Sequence, residues 1–385
     1  MIAYKSDALD NVQICRQADE ALAENCITKE ENTHVKKVHS PGLYMPNIYI
    51  RIGLFLLTFV IVLFTLGLLL LMLLSSSGER WEPLLIVLGF LSYGMLEFMV
   101  NRKKHFRSGV DDALLLMSVS LLFWGVGFST GYEYALLHSF VLFVLAGWGL
   151  LRFTDRLMTL LAYSALVGIV FNIARDLGPI ARPLLPFLQM AVAAVVYLLF
   201  TPLLGRERFR HYRPCLVVLK VICLIGFYGA GNYFIVREAG VAFLGLPRAE
   251  TLPIGWLFWT WTIVTPLAYI YWGIRKKDPI FLWMGLALVA AMVLTIRNYY
   301  HVLPAEVAMV IGGVVLVGAS YALMRYLRTP RYGFCNVATT GSQVTEIIHI
   351  ETLVIAETFA PAPHAGNDFR FGGGTGSGGG AGGEF

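Results

Sequence analysis

The sequence predicts an all-α fold, a polytopic transmembrane helical bundle of about ten spans with both termini in the cytoplasm. Three observations lead to this prediction. Hydrophobic residues make up 57% of the chain and charged residues only 14%, whereas an average soluble domain carries roughly 25% charge. Apolar stretches of membrane-spanning length recur between residues 48 and 327. Lysine and arginine concentrate in alternate connections between those stretches, as is typical of a chain that crosses a bilayer repeatedly.

The polar residues 1–47 are predicted to form a cytoplasmic headpiece of two short helices. The first helix is expected from about Ser6 to Glu24, and the second is expected to start at Thr28. Thr28 and Glu31 fit a capping box, in which the hydroxyl accepts from a backbone amide of the helix and the carboxylate reaches back to the cap. Prolines and a glycine between residues 41 and 46 then break the helix. The headpiece is too short to contain an enzyme core.

The transmembrane domain is predicted over residues 48–327, because ten apolar stretches there approach the roughly 20 residues that a helix needs to cross the hydrocarbon layer. They cover residues 48–74, 83–100, 112–128, 132–151, 157–174, 184–204, 215–235, 254–274, 279–296 and 305–326. Only a tight turn near Gly131 separates the third stretch from the fourth, so these two are expected to form an antiparallel hairpin.

The distribution of basic residues sets the predicted orientation. With the N-terminus in the cytoplasm, the cytoplasmic connections and the exit from the last span carry sixteen lysines and arginines, against six on the opposite side. The six are Arg80, Arg175, Arg182, Arg237, Arg248 and Arg297. Because cytoplasmic loops carry an excess of positive charge, and because one span more or fewer would destroy the alternation, this pattern supports ten spans.

The chain becomes polar again after the last span. Residues 328–370 are predicted to form a cytoplasmic juxtamembrane segment, in which residues 342–358 fit an amphipathic helix and a strand equally well. Residues 371–385 are almost all glycine, so this tail is expected to be disordered.

No motif for catalysis, cofactor binding or metal binding appears in the sequence: GxSxG, HExxH, the P-loop and the dinucleotide fingerprint are all absent. We therefore expect no enzymatic activity, no cofactor and no metal. The net charge of +5 could suggest a nucleic-acid partner. The basic residues, however, lie in short clusters between apolar stretches and not in one patch, so nucleic acid is not expected.

Polar residues at the predicted outer ends of several spans are the candidates for a substrate or ion site. If those helices are neighbours, the residues would line a cavity open to the outside, with Arg297 as the anion binder and Glu133 or Glu306 as its partner or a proton site. The alternative is that helix ends are polar because they meet water. The candidates are Glu133, His138, Asn172, Asp176, Asn232, Arg237, Arg297, Asn298, His301 and Glu306.

Three further features lie within predicted spans, where polar groups are costly. Glu97 is expected to pair with the basic residues 102–104 or, alternatively, to bind a proton or ion. Lys220 is expected to extend its ammonium group to the nearby membrane surface. The glycines of the segment 226–231, followed by Asn232, fit either close helix packing or a helix broken at a binding site.

Two segments carry a resemblance to known proteins. The run from Cys26 to Glu31 and the run from Asn47 to Gly53 resemble the start of uncharacterised bacterial multi-span proteins of the Bacteroidetes type, which begin with a short helical headpiece. The glycine-rich tail is similar in composition to tails on membrane proteins of that group. The resemblance implies a bacterial inner membrane, and it transfers no catalytic residue because those proteins have no known activity.

Three functions are open at this point. The first is transport of a small solute or ion through an outward-facing polar cavity, since ten spans could divide into two inverted sets of five. The second is a non-catalytic envelope or assembly protein, in which the headpiece and the tail ending at Phe385 recruit cytoplasmic protein partners. The third, ranked last, is a membrane-embedded enzyme with His138 or His301 as the base. In each case the lipid bilayer is the main partner.

Overall fold

In the computed structural model of this protein, the described residues are 2–76, 81–131, 134–178, 182–244 and 254–299, together with seven residues between 310 and 325. Within these ranges every regular element is a helix, apart from one backbone bridge between Tyr44 and His105. The predicted all-α class is therefore confirmed. The predicted juxtamembrane segment and glycine-rich tail, residues 328–385, lie outside the described part of the chain.

Two helices make up the headpiece, α1 (Ser6–Ala23) and α2 (Lys29–Val38). The predicted capping box is present at the start of α2: the Glu31 amide donates to the Thr28 hydroxyl oxygen at 3.2 Å, and the Thr28 amide donates to the Glu31 carboxylate at 2.8 Å. The same backbone and hydroxyl donors of Thr28 hold the pKa of Glu31 below its ordinary value. The local sequence thus fixes where this helix begins.

Nine long helices and one shorter helix follow. They are α3 (Ile48–Ser76), α4 (Glu82–Asn101), α5 (Val110–Thr130), α6 (Ala135–Phe153), α7 (Arg156–Asp176), α8 (Leu185–Phe200), α9 (Arg213–Gly231), α10 (Tyr233–Leu244), α11 (Gly255–Lys276) and α12 (Pro279–Tyr299). Eight helical segments, which comprise α3–α9 and α12 with short 3-10 extensions of α8 and α9, are long and apolar enough to cross a membrane. The chain is therefore a multi-pass helical membrane protein.

Two of the ten predicted spans are not among these eight. The stretch at 254–274 forms α11, which is 22 residues long but contains Trp256, Trp259, Trp261 and Trp272 together with several tyrosines and threonines, so it is less apolar than the others. The stretch at 305–326 lies almost entirely outside the described residues. The count of ten spans therefore stays a prediction.

Two helices form the centres of the packing. Helix α5 contacts α3, α4 and α6, and four residues separate it from its hairpin partner α6. Helix α9 contacts α7, α8, α10, α11 and α12. In contrast, the apolar stretch of α3 contains no buried residue, although α3 touches α4 and α5. A helix that is apolar all round and exposed in the isolated chain is suited to face lipid.

The headpiece packs on one end of the membrane domain. Arg210 Nη2 lies 2.5 Å from Asp10 Oδ2, and the Ala3 amide donates to the Arg152 carbonyl oxygen at 2.8 Å. The rings of Tyr4 and Phe106 pack edge to face with centroids 4.8 Å apart. We call this end, where α3, α5, α7 and α9 begin, the headpiece face, and the opposite end the distal face.

Candidate functional site

The chain breaks its helix at Asn232, between α9 and α10. Asn232 has an extended backbone (φ −70°, ψ 127°) and is only 1% exposed. Its amide nitrogen donates to the Tyr228 hydroxyl at 2.9 Å and to Thr295 Oγ1 at 3.1 Å, while its oxygen accepts from the Ile235 amide at 3.2 Å. Asn232 therefore caps the start of α10 and joins it to α12, because a buried amide needs its hydrogen bonds satisfied.

The glycines before this break permit close packing. An added Cβ at Gly226 would overlap the Tyr163 hydroxyl, and one at Gly231 would overlap the indole ring of Trp261. Only glycine allows α7 and α11 to approach α9 this closely at those positions. Close packing along α9 is therefore confirmed, and the helix is also broken at Asn232, within the predicted span 215–235. Whether a binding site lies at the break stays a prediction.

A cavity of about 650 Å³ lies in the distal half of the bundle, between α7, α8, α9, α10 and α11. Its wall is almost entirely apolar, with Phe171, Phe187 and Phe258 among the larger side chains. Ile235 and Phe243 line it and remain 46% and 66% exposed, so the part of the chain that the structure describes leaves the cavity open on one side. This size is within the range typical of small-molecule sites.

Gln189 contributes the amide group of that wall. Its nitrogen donates to the Val167 carbonyl oxygen at 3.0 Å. Its oxygen Oε1 is buried and accepts no hydrogen bond from any described residue. The Tyr163 hydroxyl is the other polar group at the wall. A buried acceptor without a donor is costly. The oxygen has almost no accessible surface, so a ligand in the cavity can donate to it only after the Gln189 side chain rotates.

The predicted outer candidates separate into two groups, and no described candidate lines the cavity. His138 on α6 lies with its Nε2 3.1 Å from Thr130 Oγ1 on α5. Asn172 on α7 donates to Ser139 Oγ at 3.0 Å and to the Gly168 carbonyl at 2.9 Å. These buried contacts connect α5, α6 and α7 to one another.

The second group surrounds the end of α12. The Arg237 guanidinium lies 5.1 Å from the centre of the Tyr299 ring, so α10 meets α12 here as well as at Asn232. Arg297 is half-buried near the end of α12 and Asn298 is exposed. Asp176, the last residue of α7, is exposed, and its Oδ1 lies 3.4 Å from Arg175 Nε. The remaining candidates, Glu133, His301 and Glu306, lie outside the described residues.

Lys220 is buried, and its ammonium group extends to Asp278 in the connection between α11 and α12. Its side chain is only 8% exposed and its Nζ hydrogen-bonds to Asp278 Oδ2. Asp278 precedes α12 and its other oxygen accepts from the Ile280 amide at 3.1 Å, while Lys220 Nζ lies 5.5 Å from the Phe281 ring centre. Because a buried charge needs a partner, the pair joins α9 to the start of α12.

The predicted ion pair of Glu97 is confirmed, but with a different partner. Glu97 binds Arg152 on α6 and not the basic residues 102–104 that follow it in sequence. Its carboxylate also accepts from the Tyr93 hydroxyl at 2.9 Å and from Asn101 Nδ2 at 2.8 Å. Four donor groups thus satisfy one carboxylate, which indicates a structural role for Glu97 at the headpiece face.

Sequence analysis missed Gln189, Asp278 and Thr295. Gln189 is the only amide-bearing or charged residue in the apolar stretch 184–204. A search for amides at membrane depth would therefore have found it. Asp278 follows a basic cluster and looks like an ordinary loop residue. Nothing local in the sequence pairs it with a lysine 58 positions earlier.

Among the described residues, no group of three or more histidines, cysteines, aspartates or glutamates could hold a metal ion. The fold and its cavity define a class, a helical multi-pass membrane protein with an apolar chamber in its distal half. No family model matches this chain, and neither a curated protein nor a solved structure is significantly similar to it. The resemblance to uncharacterised bacterial proteins therefore stays a prediction.

Proposed function

We propose that this protein is a membrane carrier for a lipophilic molecule that bears one hydrogen-bond donor. The observation that supports this most is the 650 Å³ apolar cavity with the unsatisfied oxygen of Gln189 in its wall. The apolar wall can contact the apolar part of a ligand. The Gln189 oxygen can accept a hydrogen bond from a hydroxyl or N–H group of the same ligand.

The energetics favour an amphiphile over a plain hydrocarbon. Inside a bilayer, moving a hydrocarbon from lipid to an apolar cavity gains little, because lipid tails are as apolar as leucine. Once the Gln189 side chain turns its oxygen toward the cavity, a hydrogen bond from the ligand satisfies this acceptor and contributes about 1 kcal/mol net. Shape and this one bond would then decide which molecule is retained.

A polar solute or ion, the class expected from the sequence, has less support. His138, Asn172 and Asn232 hydrogen-bond to neighbouring helices, and none of them lines the cavity. Polar groups whose hydrogen bonds are satisfied by protein can bind a solute only by breaking those bonds.

The arrangement along α9 supports a carrier. From the cavity toward the headpiece face, Gly226 lines the chamber, Cys223 is 1% exposed in a cluster with Tyr163, and Lys220 forms its buried pair with Asp278. The chamber thus opens in the distal half and is closed toward the headpiece. Alternation between two such states is how carriers move a ligand past a central site.

We also propose ten spans, with the headpiece and the C-terminus in the cytoplasm and the protein in a bacterial inner membrane. The sixteen-to-six distribution of basic residues supports this orientation. Sidedness reporters inserted in the α4–α5 connection near Arg102 and in the α5–α6 connection near Gly131 should report opposite compartments. The same compartment for both would contradict the topology.

The proposed ligand class is tested by photolabelling in proteoliposomes. Two diazirine probes of equal chain length are compared, a long-chain alcohol and its methyl ether. The alcohol should label peptides of α7, α9 and α10, and Ala239→Trp, which fills the cavity, should abolish this labelling. The matched control is Ala191→Trp on the exposed face of α8, which should label like the wild type.

Gln189→Leu distinguishes hydrogen bonding from mere partitioning. Loss of about 1 kcal/mol should lower alcohol labelling about fivefold, to the level of the ether. Labelling confined to lipid-facing helix surfaces, unaffected by Ala239→Trp, would contradict the proposal.

The assembly role is a second proposal, and it depends on the tail 371–385, which lies outside the described residues. Deleting the tail should abolish recruitment of a cytoplasmic protein if this role is correct. An unchanged phenotype would remove it.

A further inference from the structure

A second cleft lies at the headpiece face, between α3 and α7, with α5 as its floor. Its volume is about 410 Å³. Its lining includes the three arginines Arg51, Arg107 and Arg156, and also the apolar side chains of Phe55 and Leu157. We call it the arginine groove. It shares no residue with the distal cavity, so a ligand of the arginine groove is independent of the proposed carrier function.

Close packing of α3 on α5 builds one wall of the arginine groove. Gly109 has φ +92°, and a Cβ there would overlap the Arg51 carbonyl oxygen, so the first turn of α3 rests on the start of α5. Arg51 then donates to Asp112 Oδ2 through Nε at 3.0 Å and Nη2 at 2.6 Å. The guanidinium of Arg51 is therefore held in a fixed position beside the groove.

The walls of the arginine groove are apolar and exposed, as is typical of a surface that faces lipid. The apolar stretch of α3 contains no buried residue. On the two walls, Leu56 of α3 and Leu157 of α7 are 55% and 42% exposed. Because α3, α5 and α7 all begin here, the groove is level with the end of the membrane domain, where the headgroups of one leaflet meet the apolar walls.

The charges of the arginine groove favour an anion. Three arginines and two aspartates line the groove, so the lining itself has one positive charge in excess. Asp111, buried behind the lining, accepts from the Arg107 and Ser108 amides. Both carboxylates of the lining have partners: Asp112 binds Arg51, and Asp155 Oδ1 accepts from the Met158 amide at 2.9 Å. The positive ends of three helix dipoles also point to this region, and they add to the potential of the arginines.

We propose that the arginine groove binds an anionic phospholipid of the adjoining leaflet. The phosphate lies between the guanidinium groups of Arg107 and Arg156, and an acyl chain follows the apolar wall between Phe55 and Leu157. Guanidinium groups match phosphate oxygens in geometry and charge. Basic pockets between transmembrane helices are the sites where such headgroups bind.

The combination of apolar walls and arginines selects a lipid over a free anion. A soluble phosphate would use only the arginines of the groove and leave the apolar walls to other lipids. A phospholipid matches both parts, and its chains are already in the phase that the groove faces. The headgroup contacts of the arginines then favour an anionic phospholipid over one without net charge.

The test is native mass spectrometry of the full-length protein in detergent, titrated with phosphatidylglycerol or phosphatidylcholine. The wild type should bind phosphatidylglycerol more tightly. Arg107→Gln and Arg156→Gln should each weaken that binding about fivefold, as expected for one arginine, and reduce the preference for phosphatidylglycerol over phosphatidylcholine. The matched control is Arg102→Gln, the same charge change at an exposed residue of the same face outside the groove.

Three results would overturn the proposal. One is an equal loss in Arg102→Gln, which would indicate general electrostatic attraction. Another is the absence of any preference for phosphatidylglycerol over phosphatidylcholine. The third is displacement of the lipid by millimolar inorganic phosphate, which would indicate a free-anion site. Thermal unfolding of each variant, expected to match the wild type within a few degrees, separates loss of binding from loss of folding.

Discussion

Glu97 on α4 and Arg152 on α6 form a two-point ion pair at the headpiece face. Arg152 Nε lies 2.9 Å from Glu97 Oε1, and Nη2 lies 3.1 Å from Oε2. The backbone carbonyl of Arg152 also accepts from the Ala3 amide, so one residue joins two spans and the headpiece. An ion pair with two parallel hydrogen bonds is more favourable than a flexible pair at the surface.

Breaking this pair should destabilise the membrane domain by an intermediate amount. The side chains are 28% and 21% exposed, so the cost lies between that of a surface pair and that of a buried one, about 1–2 kcal/mol. The measurement is thermal unfolding in detergent of Arg152→Met, Glu97→Gln and the double variant. A coupling energy near zero would show that the two groups do not interact, and Arg102→Met serves as the control for lost positive charge.

Close packing between α9 and α11 leads to a second prediction. Gly231→Ala should lower stability by about 1–3 kcal/mol, because the added methyl group would overlap Trp261. Gly94→Ala on α4 is the matched control, since its added Cβ meets nothing within 4 Å and alanine favours helix. The measurement is unfolding of both variants in the same detergent. Equal stability of the two would mean that Gly231 does not face Trp261.

The sequence predicted those features that depend on local pattern. Capping by Thr28 and the starts of the described spans follow from the types of residue within one or two helical turns. The break at Asn232 was only one of two open interpretations, and the predicted span 215–235 ran through it. The partner of Glu97 did not follow, because the basic residues nearest in sequence are not those that packing brings nearest in space. Arg152 is 55 residues away.

The apolar cavity could not be predicted from the sequence for a related reason. The polar helix ends suggest a common chamber, whereas in the described residues they hydrogen-bond to neighbouring helices. The chamber is formed instead by apolar residues of five helices, and periodicity alone cannot separate a cavity wall from a packed or lipid-facing surface. Gln189 is its one local sign.

The buried pair of Lys220 and Asp278 should act as the closure between the cavity and the headpiece face. Asp278→Asn leaves the Lys220 charge buried without its carboxylate, which favours separation of α9 from α12. Cys223, buried between the pair and the cavity, should then react faster with a small water-soluble maleimide added at the headpiece face. Asp176→Asn, at an exposed site of the distal face, is the control. An unchanged rate of Cys223 modification would show that the pair does not close this path.

The headpiece should show an acid-sensitive contact at Asp19. Burial raises the pKa of Asp19, but hydrogen bonds from Lys36 and Asn32 outweigh this effect and lower it below the ordinary 3.8. A lowered native pKa means that the stabilisation is fully present above pH 3.8 and is lost as the pH falls through the native value. Both side chains of the Asp19–Lys36 pair are about half exposed, so the effect is modest.

Hydrogen exchange of α1 and α2, corrected for intrinsic rates, measures this contact. Protection near Asp19 and Asn32 should stay constant from about pH 6 to about pH 4 and decline below it. Asp19→Asn should lower protection at the higher pH and remove the further decline. A decline that persists in the variant would assign the acid sensitivity to another group.

The central claim is that the distal cavity holds a lipophilic molecule, and a cryo-EM map of the protein in lipid nanodiscs tests it most directly. The expected result is a continuous elongated density between α7, α9 and α10, with one end within hydrogen-bonding distance of Gln189. A chamber filled by protein side chains, or one occupied only by ordered water, would contradict the claim.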